Sequence, residues 1–313
     1  MSNKFAIMPD INCDLNDEFR KEYDIDVIYG HYTTPDGKEH PSVLNWKTVN
    51  RDQFYKDLKK DPNGYKTSPA NVEECYLAYE KHIKNGEAVI SLSISQVLSG
   101  AYSFMKQAID QIKEKYPDAK IALIDSMRFG PGAGLLAIYA SILRKEGKSF
   151  EEVVEWLEAN KNHFHQTGWM DDLSFVAKKG RITHAKAFFG SLVGIKPVGE
   201  FDYNGMTTVI GKCKGEKEAY QVFIEYIKRH IINPSEQIII VATSNRQAQA
   251  EVFKKLIIDN IHPKAVYVSD VYPNCGINIG PGLMAAYYYG KPISEGLVEE
   301  TKVFNEIKAS IKE

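Results

Sequence analysis

Cysteine is sparse in this chain of 313 residues, and its four copies, Cys13, Cys75, Cys213 and Cys275, lie far apart. They form no CxxC pair and have no histidine at ligand spacing, which argues against a disulfide framework or a structural zinc site. Four reduced, buried thiols in a cytoplasmic protein are expected instead. Long apolar runs are missing too. The richest window, Gly132 to Leu143, is 12 residues long. A membrane span needs roughly 18, so this window reads as a buried helix and no stable membrane insertion is expected. The apolar run before Pro9 is too short for a signal-peptide core. Charge of one sign is also lacking: 39 basic and 41 acidic side chains leave a net −2. No positive excess drives counterion release, so a general nucleic-acid partner is disfavoured. The GxSxG elbow, the GxxxxGK[ST] loop and a GxGxxG after the first strand are all absent.

What is present is an ordinary globular composition, 43% hydrophobic and 26% charged, with 18 Tyr and 14 Phe as its one surplus. The length points to two domains. Short apolar runs at Phe5–Met8, Val27–Tyr29, Ala88–Ile94, Lys120–Ile124, Leu192–Ile195, Gln237–Ala242 and Ala265–Val268 predict strands. Helical periods cover 72–84, 101–115, 132–145, 150–160, 216–230, 246–259 and 283–289. The alternation predicts an α/β fold of two lobes with mainly parallel sheets, residues 1–162 and 163–313. A weak echo supports two related lobes: Gly130-Pro131-Gly132 and Gly280-Pro281-Gly282 each read as the start of a small apolar helix. The charged C-terminal stretch reads as an amphipathic surface helix.

Three segments offer chemistry. On the strand of Ala88–Ile94, Ser91, Ser93 and Ser95 fall on one face by the two-residue period. Ser99-Gly100 then precedes a helix, placing Ser99 at an N-cap, where a hydroxyl and free N–H groups suit an anion. Capping alone explains an isolated Ser-Gly equally well. Thr67 and Ser68 stand in a loop ahead of the helix from Val72, so two hydroxyl loops of one lobe are available to one anion. Arg181, beside Gly180, has the fork to grip a carboxylate, with a solvated surface arginine as the alternative. Asp10 and Asp14 lack a third carboxylate nearby, so hydrogen bonding to loops is favoured over metal binding. His163 and His165 are a weak metal pair. The aromatics Phe129, Phe188, Phe189 and Tyr287–Tyr289 read as the lining of an apolar space, or as ordinary core.

At these motifs the chain resembles the DegV family, the bacterial fatty-acid-binding proteins that include the FakB subunits of fatty acid kinase. The strongest segment runs from Asp172-Leu-Ser-Phe-Val-Ala-Lys-Lys-Gly-Arg-Ile-Thr183 to Gly190-Ser-Leu-Val-Gly-Ile-Lys-Pro197. Lys66-Thr67-Ser68, Leu98-Ser99-Gly100-Ala-Tyr102, Asp125-Ser126 and Gly280-Pro281-Gly282 match further family blocks. The resemblance implies a long-chain fatty acid in a tunnel between or within two α/β lobes, with Thr67 and Ser99 as head-group ligands. Ser95, Ser68, Arg181 and Asn278 are implied as neighbours or contributors. It implies a non-catalytic subunit with no cofactor or metal, presenting the acid to a fatty acid kinase subunit. The rival is a serine-dependent hydrolase or phosphate-ester enzyme using Ser99. Three departures stand out: Ile11 and Asn12 replace a family Ser and Thr, Pro69-Ala70-Asn71 replaces Gln-Pro-Ser, and Asn278 replaces a family histidine.

Overall fold

The computed structural model describes residues 5–171, 173–183 and 194–312. The chain divides into two compact units. The first takes residues up to Val49, Asn63–Lys161 and Tyr272–Ile277; the second takes Asn50–Pro62, Asn162–Val271 and Asn278 onward. A division at 162/163 therefore needs two corrections. Residues 50–62 join the second unit because the helix Arg51–Lys60 buries Phe54, Tyr55 and Leu58 there, and the Tyr55 hydroxyl donates to Val271 O at 2.5 Å. Residues 272–277 join the first unit, where Tyr272 N donates to the Asp14 carboxylate at 3.1 Å.

Three parallel strands form the centre of the first unit, in the order Phe5–Pro9, Ala88–Ser93, Ile121–Asp125. Their near-continuous apolar runs suit a sheet buried on both faces. The helices Val72–Lys84 and Ala101–Lys115 bury Cys75, Tyr79, Met105, Ala108 and Ile112 with Val89 in one cluster. Two helices start where reciprocal caps dictate: Asn71 with Glu74, and Ser149 with Glu152 ahead of Phe150–Asn160. The helix Pro131–Lys145 follows the third strand. A Cβ added to Gly134 would come within 2.4 Å of Cys13 O, so this helix rests directly on the 3-10 turn Ile11–Cys13. Val27–Tyr29 forms no regular strand, only an isolated bridge from Ile28 to Asp10. Asp26 N and Ile28 N donate to Ile7 O and Pro9 O, but Pro9 has no N–H with which to complete a ladder.

Parallel pairing holds for this sheet, whereas the sheet of the second unit is mixed. Its seven strands run in the order Ala265–Asp270, Ile238–Thr243, Met284–Tyr289, Phe164–Trp169, Ile195–Phe201, Thr207–Lys214, Ile182–Thr183. Only the first and last pairings are parallel. The helices Gly215–His230, Gln247–Ile261 and Val298–Lys312 accompany it, and Trp169 packs its ring against Phe223 and Phe253 at 5.0 and 5.8 Å.

The predicted helix over 283–289 is a strand. Met284 to Tyr288 are all buried, because antiparallel partners on both sides place the strand in the middle of the sheet. A strand buried on both faces loses the alternation that would distinguish it from a helix. The two Gly-Pro-Gly turns also differ. Gly130 and Gly280 both hold positive φ, 54° and 78°, but Pro131 then opens a helix, whereas Gly282, at a φ of 100°, leads into the strand Met284–Tyr289.

The two histidines of the weak metal pair are committed elsewhere. His163 Nδ1 lies 2.9 Å from Gly290 O. His165, fully buried, meets the Glu200 carboxylate at 3.2 Å and Lys291 O at 2.9 Å. Burial alone would raise the Glu200 pKa, but His165, Thr167 and Gln166 N–H outweigh it and hold it below the usual glutamate range. Phe188, Phe189, Asp172 and the start of the predicted strand at Leu192 lie outside the described residues.

Candidate functional site

Crossover helices in a parallel sheet begin beyond the carboxyl ends of the strands they follow, and ligands of such sheets collect there. In the first unit that edge is built from Asp10, Ile94–Ser99 and Ser126–Gly130. Asp10 follows the first strand and ties it to the central one. Its carboxylate accepts from Asn12 N at 2.7 Å, from Asn12 Nδ2 at 2.8 Å and from Ile94 N at 2.7 Å. Burial pushes its carboxyl above the usual aspartate range, against the pull of these three N–H groups. Asp10 and Asp14 thus serve backbone N–H groups, and no cluster of three metal-ligating side chains occurs among the described residues.

The three serines on or near the central strand differ in what they do. The Ser91 hydroxyl shares a 2.8 Å hydrogen bond with Tyr79 OH and lies 3.2 Å from Met8 O, within the core. The Ser93 hydroxyl donates to Ile94 O at 2.7 Å. Ser95 lies beyond the strand's end, in a turn fixed by Ser95 N donating to Arg128 O and Leu98 N donating to Ser95 O. Its side chain is fully buried, and its hydroxyl has no hydrogen-bond partner among the described residues. An unpaired buried hydroxyl costs about 1–3 kcal/mol, so a protein retains one where something else satisfies it.

Ser99 is not the N-cap of its helix. Gly100 holds that position without a side-chain cap, and the half-buried Ser99 sits one residue earlier, its hydroxyl accepting from Ala101 N at 3.2 Å. Thr67 and Ser68 stand on a short strand, Lys66–Ser68, not in a loop. Thr67 pairs with Tyr32 of the antiparallel strand His31–Thr33. Three residues are too few for a strand period to be read. The helix at Val72 takes its cap from Asn71, which leaves capping to neither hydroxyl.

Thr67, Ser68, Ser95 and Ser99 therefore belong to one unit. Arg181 and Asn278 belong to the other. Arg181 donates through Nη1 to Lys179 O, and Asn278 lies on the helix Pro273–Ile279. Phe129 is buried in the first unit, while Tyr287–Tyr289 belong to an interior strand of the second.

Sequence reasoning missed a buried polar chain beside Asp10. Asn274 Nδ2 donates to Asn12 Oδ1 at 2.6 Å, and the Ser42 hydroxyl donates to Asn274 Oδ1 at 2.7 Å. Arg128 was missed as well. It is fully buried, with Nη1 on Met127 O at 2.8 Å and Nε on Lys161 O at 3.2 Å. Met127 holds a φ of 52°, an unfavourable region for such a side chain, which marks this edge as tightly constrained.

Comparison with known proteins decides the family. A family model described as "Uncharacterised protein, DegV family" matches residues 4–291. The chain belongs to the DegV family. A DegV domain-containing protein of Clostridium perfringens is 30% identical over 289 residues, covering 92% of this chain and 98% of that protein. Two solved DegV-like structures share the fold. One is a DegV lipid binding protein from Thermotoga maritima, with TM-score 0.80 and 22% identity over 92% of this chain and 99% of that one. The other is a stearic acid-binding protein from Eubacterium ventriosum, with TM-score 0.78 and 21% identity over 92% and 98%.

Proposed function

We propose that this DegV-family chain binds a long-chain fatty acid and that the first unit holds its carboxylate through Thr67 and Ser99, with Ser95 and Ser68 beside them. The observation that carries the reading is the Ser95 hydroxyl, buried without a partner among the described residues at the carboxyl edge of a parallel sheet. The printed ligands of the structural relatives, a lipid and stearic acid, support the choice of class.

The energetics favour an apolar ligand with weak head-group control. About 14 buried methylenes at about 0.8 kcal/mol each yield about 11 kcal/mol gross. Ordering the chain and desolvating the carboxylate remove part of that, so neutral donors are needed at the head group. Each such hydrogen bond is worth about 1 kcal/mol, which tunes orientation more than it creates binding.

In this reading the protein is a cytoplasmic, non-catalytic carrier that presents the acid to a fatty acid kinase subunit. No helix among the described residues is long and apolar enough to cross a membrane. Burial drives the thiols of Cys13 and Cys275 far up and those of Cys75 and Cys213 to about 12, which disfavours thiolate chemistry. Asn278, in place of the family histidine, can hydrogen-bond but cannot carry charge, so the partner's recognition of this chain differs at that point.

Titration with a long-chain fatty acid tests the head-group assignment. The wild type is expected to bind one equivalent, and Thr67→Ala and Ser99→Ala each to weaken binding about fivefold. Unchanged affinity in both variants would remove these residues from the site.

A further inference from the structure

The second unit has its own strand-to-helix edge. Ile238–Thr243 runs parallel to Ala265–Asp270 on one side and antiparallel to Met284–Tyr289 on the other. Its carboxyl end and that of its parallel neighbour lie at one edge of the sheet, and ligands of α/β sheets bind outside such carboxyl ends. The 15-residue helix Gln247–Ile261 starts just beyond, with Arg246 at its N-cap and no side-chain cap. Uncapped N–H groups and the helix dipole favour an anion there. Thr243, at the strand's last position, is fully buried, and its hydroxyl has no hydrogen-bond partner among the described residues.

A groove of about 500 Å³ opens at this edge. Three segments bring cations to it: Lys56 and Lys59 from the helix Arg51–Lys60, Lys178 from the short helix Ser174–Lys178, and Arg246. Asn245 and Ser174 add neutral polar groups. Two acids line the groove among the described residues, and neither lies within ion-pair distance of its three lysines. Asp52 lies 3.6 Å from Arg51 Nε, and Asp171 pairs with Lys196 and Arg246. Lys56, Lys59 and Lys178 have no carboxylate partner among the described residues. Three exposed ammonium groups lining one groove outnumber its carboxylates, and a multiply charged anion balances that excess.

We propose that this groove binds the phosphoryl group of a small molecule. A single carboxylate would leave most of the positive charge unmatched, whereas a phosphoryl group offers two charges and several acceptor oxygens to lysines arriving from separate segments. The volume suits a small ligand rather than a protein element. Every lining residue named here belongs to the second unit, and none is among the residues assigned above to the fatty-acid carboxylate.

Calorimetric titration of the whole protein with inorganic phosphate, pyrophosphate and ADP tests it, at low salt and at about 150 mM salt. Pyrophosphate is expected to bind more tightly than phosphate. Lys56→Gln with Lys59→Gln should lower its affinity about 100-fold, and Lys178→Gln, in a separate segment, about tenfold. Fatty-acid titration of the same variants should be unchanged, which separates lost binding from lost folding. ADP binding tighter than pyrophosphate identifies a nucleotide ligand; equal affinity identifies a bare phosphoryl site. No measurable pyrophosphate binding by the wild type at millimolar concentration, or equal affinity in the double variant, overturns the proposal.

Discussion

Two strand edges with the same topological origin carry opposite chemistry. In the first unit, the strands ending at Pro9, Ser93 and Asp125 lead into hydroxyls and amides, and the acids there, Asp10 and Asp125, accept from backbone N–H donors. In the second, the strand ending at Thr243 leads to Asn245 and Arg246, which line a groove with three lysines that have no carboxylate partner among the described residues. Parallel strands and their crossover helices create a place for a ligand; the residues that follow each strand decide its charge. Neutral donors suit one carboxylate on a long hydrocarbon, and clustered cations suit a phosphoryl group.

The largest effect is expected at Gly134. Valine there would press on Cys13 O and the Leu15 side chain, lifting the helix Pro131–Lys145 off the turn that carries Asp10 and Asn12. A loss of about 3 kcal/mol is expected. Trp46 and Trp156 report on the first unit and Trp169 on the second, so single-tryptophan versions can follow urea unfolding of each. The first two should shift further than Trp169; equal shifts would mean that the edges are not separately held.

Acid should strike the other unit. Burial, then the nearby charge of His165, lowers the His230 pKa to about 4, while Tyr226 O and the Glu200 charge pull it up and Lys291 pushes it down. The unfolded value is about 6.5. A histidine with a depressed folded pKa contributes stability that is present above about pH 6.5 and is lost as pH falls toward 4. Between pH 7 and pH 5 the second unit is expected to lose about 2 kcal/mol, and His230→Gln to flatten that dependence. Glu200, held below its ordinary range, loses its contribution only at lower pH still. A Trp169 transition that is identical at pH 7 and pH 5 would contradict this.

Much of the first unit was legible because its signals are local. Asn71 with Glu74 and Ser149 with Glu152 mark helix starts within four residues, and the strands at 88–93 and 121–125 stand out as apolar runs between turns. The second sheet was less legible. A central strand such as Met284–Tyr289 owes its form to partners far away in sequence, and its run of small and aromatic residues fits a buried helix equally well. The site divides in the same way. Ser95, Ser99 and Thr67 could be picked out by motif and position. That Ser95 alone of the three serines lacks a partner among the described residues, and that Asn274 reaches Asn12 across 262 residues, follows from tertiary structure.

The smallest expected effect bears most directly on the central claim, that the first edge is shaped for a fatty-acid carboxylate. Ser95→Ala removes a buried hydroxyl that has no partner among the described residues. Chemical denaturation of the ligand-free protein, paired with fatty-acid titration of the same sample, separates the two roles that hydroxyl can have. Ligand-free stability should rise by about 1 kcal/mol while fatty-acid affinity falls about fivefold. A variant that loses stability yet binds fatty acid as the wild type does would contradict the account.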